Sequence, residues 1–528
     1  MLTKTDPEDI QPFFSDASYV SNGNAERVVF PENAEEVAEV LKDATASRTP
    51  VTISGAGTGT VAGRVPFGGV VLATDKLNQI HSLSRDEYGG SAVAEAGVRL
   101  SDLQRFVEAQ GLIYPPDPTE RSCYLGGTIA TNASGSRTFK YGPTRNYIRR
   151  LKIVLATGEV VHIRRGEINA NATGHVSIPL PSGRALEAQL PSYQMPRTRK
   201  HASGYYVAPE MDVIDLFIGS EGTLGVVVEV EVDLLPKPQG LLSGIVFFDS
   251  DESLLSFARV ARSVSLETRK STAGAGKLGN LMEKALAVTD RVSAKSNSDH
   301  ASNHVDARAL EYFDSNSLDF LRSKYKTIPD TAVGAIFFEQ ETQPSTEEEL
   351  VAAWLALLEQ HGALSDSSWF ATNEADQTRL REFRHALPVL MNEWFAQHRQ
   401  RKVSTDMSVP DEAFDDMLRF YHETLRPTGL RYTVFGHIGD NHVHVNILPR
   451  DDQEAGIAKE IYLRFVKRAI EAGGTLSAEH GIGKLKREYL KLLYTENNLR
   501  EMAALKRAFD PAAILGRGNM FDEAYLAD

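Results

Sequence analysis

Hydrophobic and polar residues follow two different periods along this chain, and each period predicts its own kind of element. Apolar positions at helical spacing predict an amphipathic helix over 31–46 and mostly helical structure over 454–510. Alternating or continuous apolar residues predict a strand at 50–54 and a hairpin over 148–165. Over 240–450 such strands and helices are interspersed, which is an α+β pattern.

Chain length and sequence punctuation indicate several units. The 528 residues correspond to about three domains. A long alternating strand within 222–238 ends in a Pro-Lys-Pro break, which marks a boundary near residue 240. Two segments of polar and turn-forming residues, 166–200 and 293–304, are predicted to be surface insertions.

Composition and charge argue against several classes of protein. A hydrophobic content of 42% and a charged content of 24% are ordinary for a globular protein with a sizeable core. The net charge of −14 argues against nucleic acid as the main partner. Cys123 is the only cysteine, so there is no disulfide framework or thiolate cluster, which indicates a reducing compartment. With no apolar signal core and no apolar run near the ~20 residues of a membrane span, we expect a cytoplasmic protein without a transmembrane segment. Peripheral contact with a membrane stays open.

A glycine-dense loop over 54–69 follows the predicted strand at 50–54, as nucleotide-binding loops do. A Rossmann fingerprint needs a helix directly after the loop, and Pro66 with the glycine pair at 68–69 argues against one. The Lys-Ser/Thr ending of a P-loop is also missing. Either a phosphate cradle of another kind or an ordinary glycine-rich turn remains.

Two more segments rich in small residues, 114–148 and 215–230, lie in the same part of the chain. Together the three segments resemble the flavin-binding domain of the vanillyl-alcohol oxidase superfamily, the PCMH-type FAD domain, over about 25–240. The resemblance implies that the FAD pyrophosphate is held by Ser54, Gly55, Ala56, Gly57, Thr58 and Gly59. It implies contacts to the phosphates and ring from Pro116, Asp117, Ser122, Gly126, Gly127, Asn132 and Gly135. It implies contacts near the adenine half from Glu221, Gly222 and Val226.

Covalent members of that superfamily carry a histidine in the glycine loop or a cysteine nearby. This loop has no histidine, so we expect non-covalent FAD. Cys123 lies in the second segment, where a small buried residue is the favoured interpretation over a flavin link.

A second candidate site lies in the run from Gly436 to Asn446, which reads as a hairpin with Gly-Asp-Asn in its turn. Side chains alternate faces along a strand, so His442, His444 and Asn446 share one face. Val443 and Val445 share the other face and can pack in a core. The histidines then face something polar, unless they are merely structural or exposed.

A carboxylate-imidazole pair, Glu479-His480, follows in a glycine-flanked turn before a helix. One carboxylate with two imidazoles is a common ligand set for a divalent metal, and an open fourth position makes such a site catalytic. Zinc is the favoured metal, and manganese or iron also suits these donors.

These two motifs resemble the C-terminal domain of FAD-linked D-2-hydroxy-acid dehydrogenases. That group includes D-lactate dehydrogenases, the flavin subunit of glycolate oxidase and D-2-hydroxyglutarate dehydrogenase. The resemblance implies that His437, His444 and Glu479 bind the metal, that Asn446 contacts substrate, and that His480 is the general base.

The chain departs from the family after Asp440, where the family usually has Gly-Asn and this chain has Asn441-His442. His442 could be an extra ligand, a substrate contact or a bystander. The sequence favours a substrate contact or a position just outside the ligands.

Two cations resemble the family's substrate clamps, Arg384 and Lys402. A substrate carboxylate needs such partners, although solvated surface charge is the alternative for each. Some relatives have a threonine four residues after the arginine for a second carboxylate. Pro388 stands there in this chain, which argues against a dicarboxylic substrate of that type.

The resemblance implies an α+β flavoenzyme that oxidises a D-2-hydroxy acid, such as D-lactate, to the 2-oxo acid. We expect an N-terminal segment (1–24), a PCMH-type FAD domain (25–240), an α+β substrate or cap domain (241–455) and C-terminal helices (456–528). The alternatives are a flavoprotein acting on a sugar lactone or a phenol, a metal-dependent hydrolase, and an inactive FAD-binding subunit. The electron acceptor is left open among a quinone, a cytochrome, an electron-transfer flavoprotein and oxygen, and a homodimer is one option.

Overall fold

Two sheets form from the first half of the chain in the computed structural model, which describes residues 1–272 and 305–527. The first sheet has the order β1-β2-β4-β3, with β1 antiparallel and the other neighbours parallel. Its strands are β1 Leu2–Lys4, β2 Arg27–Phe30, β3 Val51–Ser54 and β4 Val70–Ala73.

The second sheet has the order β5-β6-β12-β8-β9, and β7 pairs with β12. Its strands are β5 Ile80–Asp86, β6 Gly89–Glu95, β7 Leu112–Ile113, β8 Ile148–Val154, β9 Val160–Arg164 and β12 Val226–Pro236. The hairpin predicted over 148–165 is therefore confirmed as β8 and β9, with Gly158 in the left-handed region at the turn.

Short helices connect these strands. They are α1 Pro7–Ile10, α2 Ala34–Ser47, α3 Leu100–Glu108, α4 Leu125–Ala130, α5 Thr138–Tyr141 and α6 Ile214–Phe217. The predicted amphipathic helix is α2, and it begins only at Ala34, because the Asn33 side chain accepts a hydrogen bond from the backbone N–H of Glu36. Val37 and Leu41 of α2 are buried against both sheets.

The segment 166–200 was predicted to be a surface insertion, and this is wrong in part. It contains a hairpin, β10 His175–Pro179 and β11 Ala185–Gln189, whose inward side chains are buried. Its last residue, Lys200, is fully buried. Alternating apolar residues bury one face of this hairpin and leave the other face on the surface, whereas the loop-like composition suggested solvent on both sides. The other predicted insertion, 293–304, lies outside the described residues.

The third sheet is antiparallel, with the order β16-β13-β15-β14-β18-β19-β17. Its strands are β13 Gly240–Phe248, β14 Ala309–Asp314, β15 Gly334–Thr342, β16 Trp369–Ala371, β17 Val403–Ser404, β18 Arg431–Gly436 and β19 His444–Leu448. The helices between these strands and after them in the chain are α7 Asp251–Thr272, α8 Ser315–Arg322, α9 Glu347–Gln360, α10 Glu374–His398, α11 Phe414–Leu425, α12 Asp452–Glu471, α13 Arg487–Leu493 and α14 Glu496–Phe509.

The chain end returns to the first sheet. The backbone N–H of Val51 in β3 donates to the Ile514 carbonyl, and Lys506 of α14 donates to the Thr223 carbonyl. Helices and sheets are thus mixed along the chain, which confirms the α+β class. The boundaries at 24, 240 and 455 stay predictions. Across the described ranges, no helix is both long and apolar enough to cross a membrane.

Candidate active site

The predicted histidine hairpin is confirmed as β18 and β19, which pair antiparallel with Phe435 opposite His444. The connection is longer than the predicted turn, because a 3-10 helix, Ile438–Asp440, lies between the strands. Asn441 then adopts a left-handed backbone, which asparagine tolerates better than most residues. Val443 and Val445 are buried in the core, as expected.

Three imidazoles of this hairpin gather around one carboxylate. One ligand atom each of His437, His442, His444 and Glu479 lies within 4.8 Å of the others. The Nε2 atoms of His437 and His444 lie 3.3 Å and 3.2 Å from the same Glu479 oxygen, Oε1. Donor atoms of this kind, aimed at one point, fit a divalent metal.

The Nδ1 atoms of His437 and His444, on the side of each ring away from Glu479, also have polar partners. His437 Nδ1 lies 2.6 Å from Glu311 Oε1, and His444 Nδ1 lies 3.0 Å from the Thr405 carbonyl oxygen. Both partners are acceptors, so each ring places a proton on Nδ1, and the Nε2 on the Glu479 side is the nitrogen that would bind a metal in place of a proton. Metal-binding histidines are usually oriented in this way.

Glu311 was not found from the sequence. Burial alone would raise its pKa, but Arg384 at 3.0 Å and His437 outweigh burial and lower the pKa to about 2. Burial would also lower the pKa of His437, but Glu311 and Glu479 raise it to about 9. The signal available in the sequence was a lone acidic residue between Leu310 and Tyr312 in an apolar strand.

The second oxygen of Glu479 faces the FAD-domain side of the molecule. Glu479 Oε2 accepts a hydrogen bond from Ser134 Oγ at 2.9 Å and lies 3.2 Å from Lys200 Nζ. Ser134 belongs to the second small-residue segment, so this segment and the histidine hairpin meet at Glu479. Lys200 was missed because nothing in the composition of 166–200 indicated a buried cation.

Asp406 holds the Glu479-His480 turn and was also missed. Its carboxylate accepts hydrogen bonds from the backbone N–H groups of Glu479 and His480, at 3.3 Å and 3.1 Å. It also accepts from Ser477 Oγ at 2.5 Å and Lys486 Nζ at 2.7 Å. Burial alone would raise its pKa, but His480, Lys486 and a hydrogen bond with His442 lower the pKa well below the usual range. Asp406 lies four residues after Lys402, the predicted substrate contact.

His480 is partly exposed, unlike His437 and His442. Its Nδ1 lies 3.4 Å from Asp406 Oδ2, and its ring stacks at 5.4 Å between centroids on the His444 ring. Burial lowers the pKa of His480 to about 4, so the imidazole is neutral near pH 7. A neutral imidazole beside the metal group has the form that a general base needs.

The turn after His480 needs glycine. Gly481 and Gly483 both have positive φ, and a Cβ on Gly483 would overlap the Val61 carbonyl oxygen. Glu221, predicted near the adenine half of FAD, accepts from the backbone N–H groups of Ile482 and Gly483 at 2.6 Å and 2.7 Å. Glu221 therefore ties the FAD-domain segment to the turn that carries His480.

The predicted substrate contacts Asn446, Arg384 and Lys402 differ in their burial and in their hydrogen bonds. Asn446 is buried, and its Nδ2 finds no acceptor among the described residues. Arg384 Nε and Nη2 both reach Glu311 Oε2, at 3.1 Å and 3.0 Å. Lys402 is exposed beside β17. Pro388 lies inside α10, where proline has no backbone N–H to give.

An arginine accompanies the glycine loop from Ser54 to Gly59. Arg64 Nη1 donates to Ser54 Oγ at 3.1 Å and to the Gly55 carbonyl at 2.8 Å. A Cβ on Gly57 would lie 2.5 Å from the Arg64 guanidinium carbon, so only glycine lets the cation approach. The loop thus combines accessible backbone with a positive charge, which suits a phosphate.

The other residues predicted to contact the flavin differ in how closely the chain packs around them. Gly126 and Gly135 are required by close packing, against Ala96 and Asp117 respectively, whereas Gly127 at the start of α4 faces open space. Asp117 is paired with arginines, at 2.8 Å from Arg121 Nη2.

The remaining predicted flavin contacts take part in hydrogen bonds or packing within the same part of the chain. Asn132 has a left-handed backbone, and its Oδ1 accepts from the backbone N–H of Arg145. Pro116 accepts a hydrogen bond from Gln104 through its carbonyl, and the Ser122 N–H donates to Glu120. Val226 is buried at the start of β12, and Gly222 has a positive φ next to Ile53.

Comparison with known families decides what kind of protein this is. Residues 25–164 match the FAD binding domain family, and residues 289–520 match the family described as FAD linked oxidases, C-terminal domain. This chain belongs to the FAD-linked oxidoreductases. The resemblance inferred from the sequence is confirmed, and the protein is an enzyme of this family.

Curated relatives of this FAD-linked oxidoreductase span nearly its whole length. It is 29% identical to the glycolate oxidase subunit GlcD of Bacillus subtilis, over 94% of this chain and 88% of that protein. It is 29% identical to a D-lactate dehydrogenase of Anaerostipes hadrus, over 97% and 93%. A D-2-hydroxyglutarate dehydrogenase of Stutzerimonas stutzeri is 26% identical, over 94% and 90%.

A solved structure shares the fold at lower identity. An alkyldihydroxyacetonephosphate synthase superposes with a TM-score of 0.62 at 14% identity, covering 97% of this chain and 82% of that one. The shared fold is all that this likeness shows.

Proposed function

We propose that this oxidoreductase converts a D-2-hydroxy acid, of the D-lactate class, to the 2-oxo acid. The observation that carries the proposal is the position of Glu479, which meets two histidines through one oxygen and the FAD-domain residue Ser134 through the other. A metal group and a base are thereby set against the flavin domain. The names of the relatives, D-lactate dehydrogenase and glycolate oxidase subunit, support the same substrate class.

The donor set fits a divalent metal, because buried polar atoms around it have no partner. His442 Nδ1 and Asn446 Nδ2 have no hydrogen-bond partner within the described ranges. His437, His444 and Glu479 would hold the ion, and zinc, manganese or iron suits imidazole with carboxylate. When bound, the flavin would supply a hydride acceptor and the metal would supply a Lewis acid for the hydroxyl group.

The protein residues then have distinct jobs. His480 turns Nδ1 to Asp406, so its Nε2 accepts the proton of the substrate hydroxyl. Asn446 Nδ2 donates to a substrate oxygen. Arg384 and Lys402 neutralise the substrate carboxylate and orient the C–H bond. Of the two, Arg384 is already ordered by Glu311, whereas Lys402 would have to turn in from the surface.

A panel of substrates tests the proposal. Purified protein is mixed anaerobically with D-lactate, glycolate, D-2-hydroxyglutarate and the L-enantiomers, and the flavin absorbance is followed. We expect bleaching by at least one D-2-hydroxy acid. Bleaching only by a sugar lactone or a phenol would overturn the substrate class. A colourless protein that hydrolyses esters would favour a metal-dependent hydrolase.

Flavin attachment is expected to be non-covalent. The loop from Ser54 to Gly59 has no histidine, and Cys123 is buried in a cluster of apolar side chains. Burial raises the pKa of the Cys123 thiol to about 12, which keeps it an unreactive thiol. Acid denaturation should therefore release all the flavin into the supernatant. Yellow colour that stays with the washed precipitate would contradict this prediction.

Arg384→Met is expected to raise the KM of the hydroxy acid by roughly 10–100-fold, the usual worth of a charge-assisted hydrogen bond. The control is Arg379→Met, an exposed arginine on the same helix whose ion pair within the described residues is with Asp376. Steady-state kinetics and metal content are measured together, because Arg384 also touches Glu311. An unchanged KM in Arg384→Met would rule out the clamp.

A further inference from the structure

His442 has the surroundings of a ligand. Its side chain is 0% exposed, and its Nε2 faces Asp406 Oδ1 at 3.2 Å, yet its Nδ1 has no hydrogen-bond partner within the described residues. Buried polar atoms are almost always paired in folded proteins. An imidazole in this position therefore points to a binding partner at the site.

The ring belongs to the same cluster as the two predicted histidine ligands. Its centroid lies 4.5 Å from that of His444 and 5.4 Å from that of His437. One of its nitrogens lies within 4.8 Å of the ligand atoms of His437, His444 and Glu479. A bystander on the same strand face would not need to converge on Glu479.

Each of the three imidazoles has an acceptor behind it. Glu311 stands behind His437, the Thr405 carbonyl stands behind His444, and Asp406 Oδ1 lies 3.2 Å from His442 Nε2. This repeated arrangement is the one that orients metal-binding histidines. With Asp406 beside Nε2, Nδ1 is the nitrogen of His442 that is left for a metal.

We propose that His442 is a third imidazole ligand, so that the protein supplies three histidines and Glu479 to one metal, and the substrate hydroxyl would enter as a fifth ligand. This inference rests on the metal site of the proposed function and extends it. The D-2-hydroxy-acid dehydrogenases that this chain resembles usually have Gly-Asn at the positions of Asn441 and His442. Asn441 adopts the left-handed backbone that suits the glycine of those sequences, and asparagine tolerates it. His442 then stands where those sequences have an asparagine side chain.

The charges around the cluster limit it to one ion. Asp406 Oδ2 is held by Lys486 Nζ at 2.7 Å, and Glu479 Oε2 lies 3.2 Å from Lys200 Nζ. A second metal between Asp406, Glu479 and His480 would compete with these ammonium groups. Three imidazoles with one carboxylate are donors for zinc, iron or manganese rather than for calcium.

Zinc binding tests this assignment on the full chain with FAD bound. The protein is stripped of metal with a chelator and dialysed against buffered free Zn²⁺, and bound zinc is measured for wild type, His442→Asn and His442→Gln. We expect one zinc per wild-type chain. Both variants should bind it more than roughly 100-fold more weakly, beyond the usual effect of losing an outer partner.

The control is His422→Asn, a half-buried imidazole of α11 that contacts Tyr432 far from Glu479 in the sequence. It should bind zinc as the wild type does. FAD content and melting temperature identify any variant that fails to fold. Two variants of different length at one position separate a lost ligand from a packing defect.

Zinc X-ray absorption then counts the coordinated imidazoles. We expect three in the wild type and two in His442→Asn. Equal affinity and an equal number of imidazoles in His442→Asn would overturn the inference, and so would a wild type that binds no zinc. Weakened zinc binding in His442→Asn supports it even if no hydroxy acid bleaches the flavin, a result that would overturn only the proposed substrate.

Discussion

Replacing His480 with alanine is expected to slow flavin reduction by a D-2-hydroxy acid by ~10²–10⁴-fold, the usual worth of a general base. Among the imidazoles of the site, His480 is the one held by Asp406 at Nδ1 yet partly open to solvent. Its side chain is not part of the cluster formed by His437, His442, His444 and Glu479, although its Nε2 lies 3.9 Å from Glu479 Oε1. Metal and FAD should therefore stay bound, and substrate affinity should change little.

Anaerobic stopped-flow reduction of the metal-replete His480→Ala protein measures this effect. The control is His398→Ala, an imidazole that stacks on Trp394 at the end of α10. The control should reduce at the wild-type rate. A wild-type rate in His480→Ala itself would show that another group takes the proton. A loss of metal in His480→Ala would show that the side chain is a ligand instead.

Removal of the metal should abolish hydroxy-acid oxidation while FAD stays bound. Within the described residues, the glycine loop from Ser54 to Gly59 and its Arg64 make no hydrogen bond or ion pair with the histidine hairpin, so we expect the flavin to keep its main anchors. His444→Ala should lose both metal and activity, because His444 Nε2 lies 3.2 Å from the Glu479 oxygen shared with His437. With the ion gone, His480 faces a hydroxyl group of ordinary acidity.

Metal content by mass spectrometry, FAD absorbance and oxidation rate are measured on the same samples. Adding back the metal should restore the chelated wild type and leave His444→Ala inactive. The control is His175→Ala, because His175 also pairs with a glutamate, Glu187 at 2.8 Å, on the surface hairpin. A metal-free His444→Ala protein with full activity would contradict the metal site.

Local patterns in the sequence predicted what depends on neighbouring residues. The two strands around the histidines and the burial of Val443 and Val445 follow from alternation, because side chains alternate faces along a strand. The turn at Gly481 and Gly483 follows from glycine's access to positive φ. The three small-residue segments pointed to an FAD domain, and the matching family confirms it over 25–164.

The partners of the site were decided by the tertiary structure alone. Glu311, Asp406, Lys200 and Ser134 come from four distant parts of the chain and meet at the histidines and Glu479. None of them stands in a motif with the residue it contacts, so no spacing could indicate the pairing. Lys200 shows this most clearly, since the composition around it predicted solvent while the folded chain buries its charge beside two carboxylates. Local motifs, together with the family they resemble, therefore pointed to candidate metal ligands and a candidate base. Only packing determined which charges surround them, because those contacts exist only once the sheets and the chain end have come together.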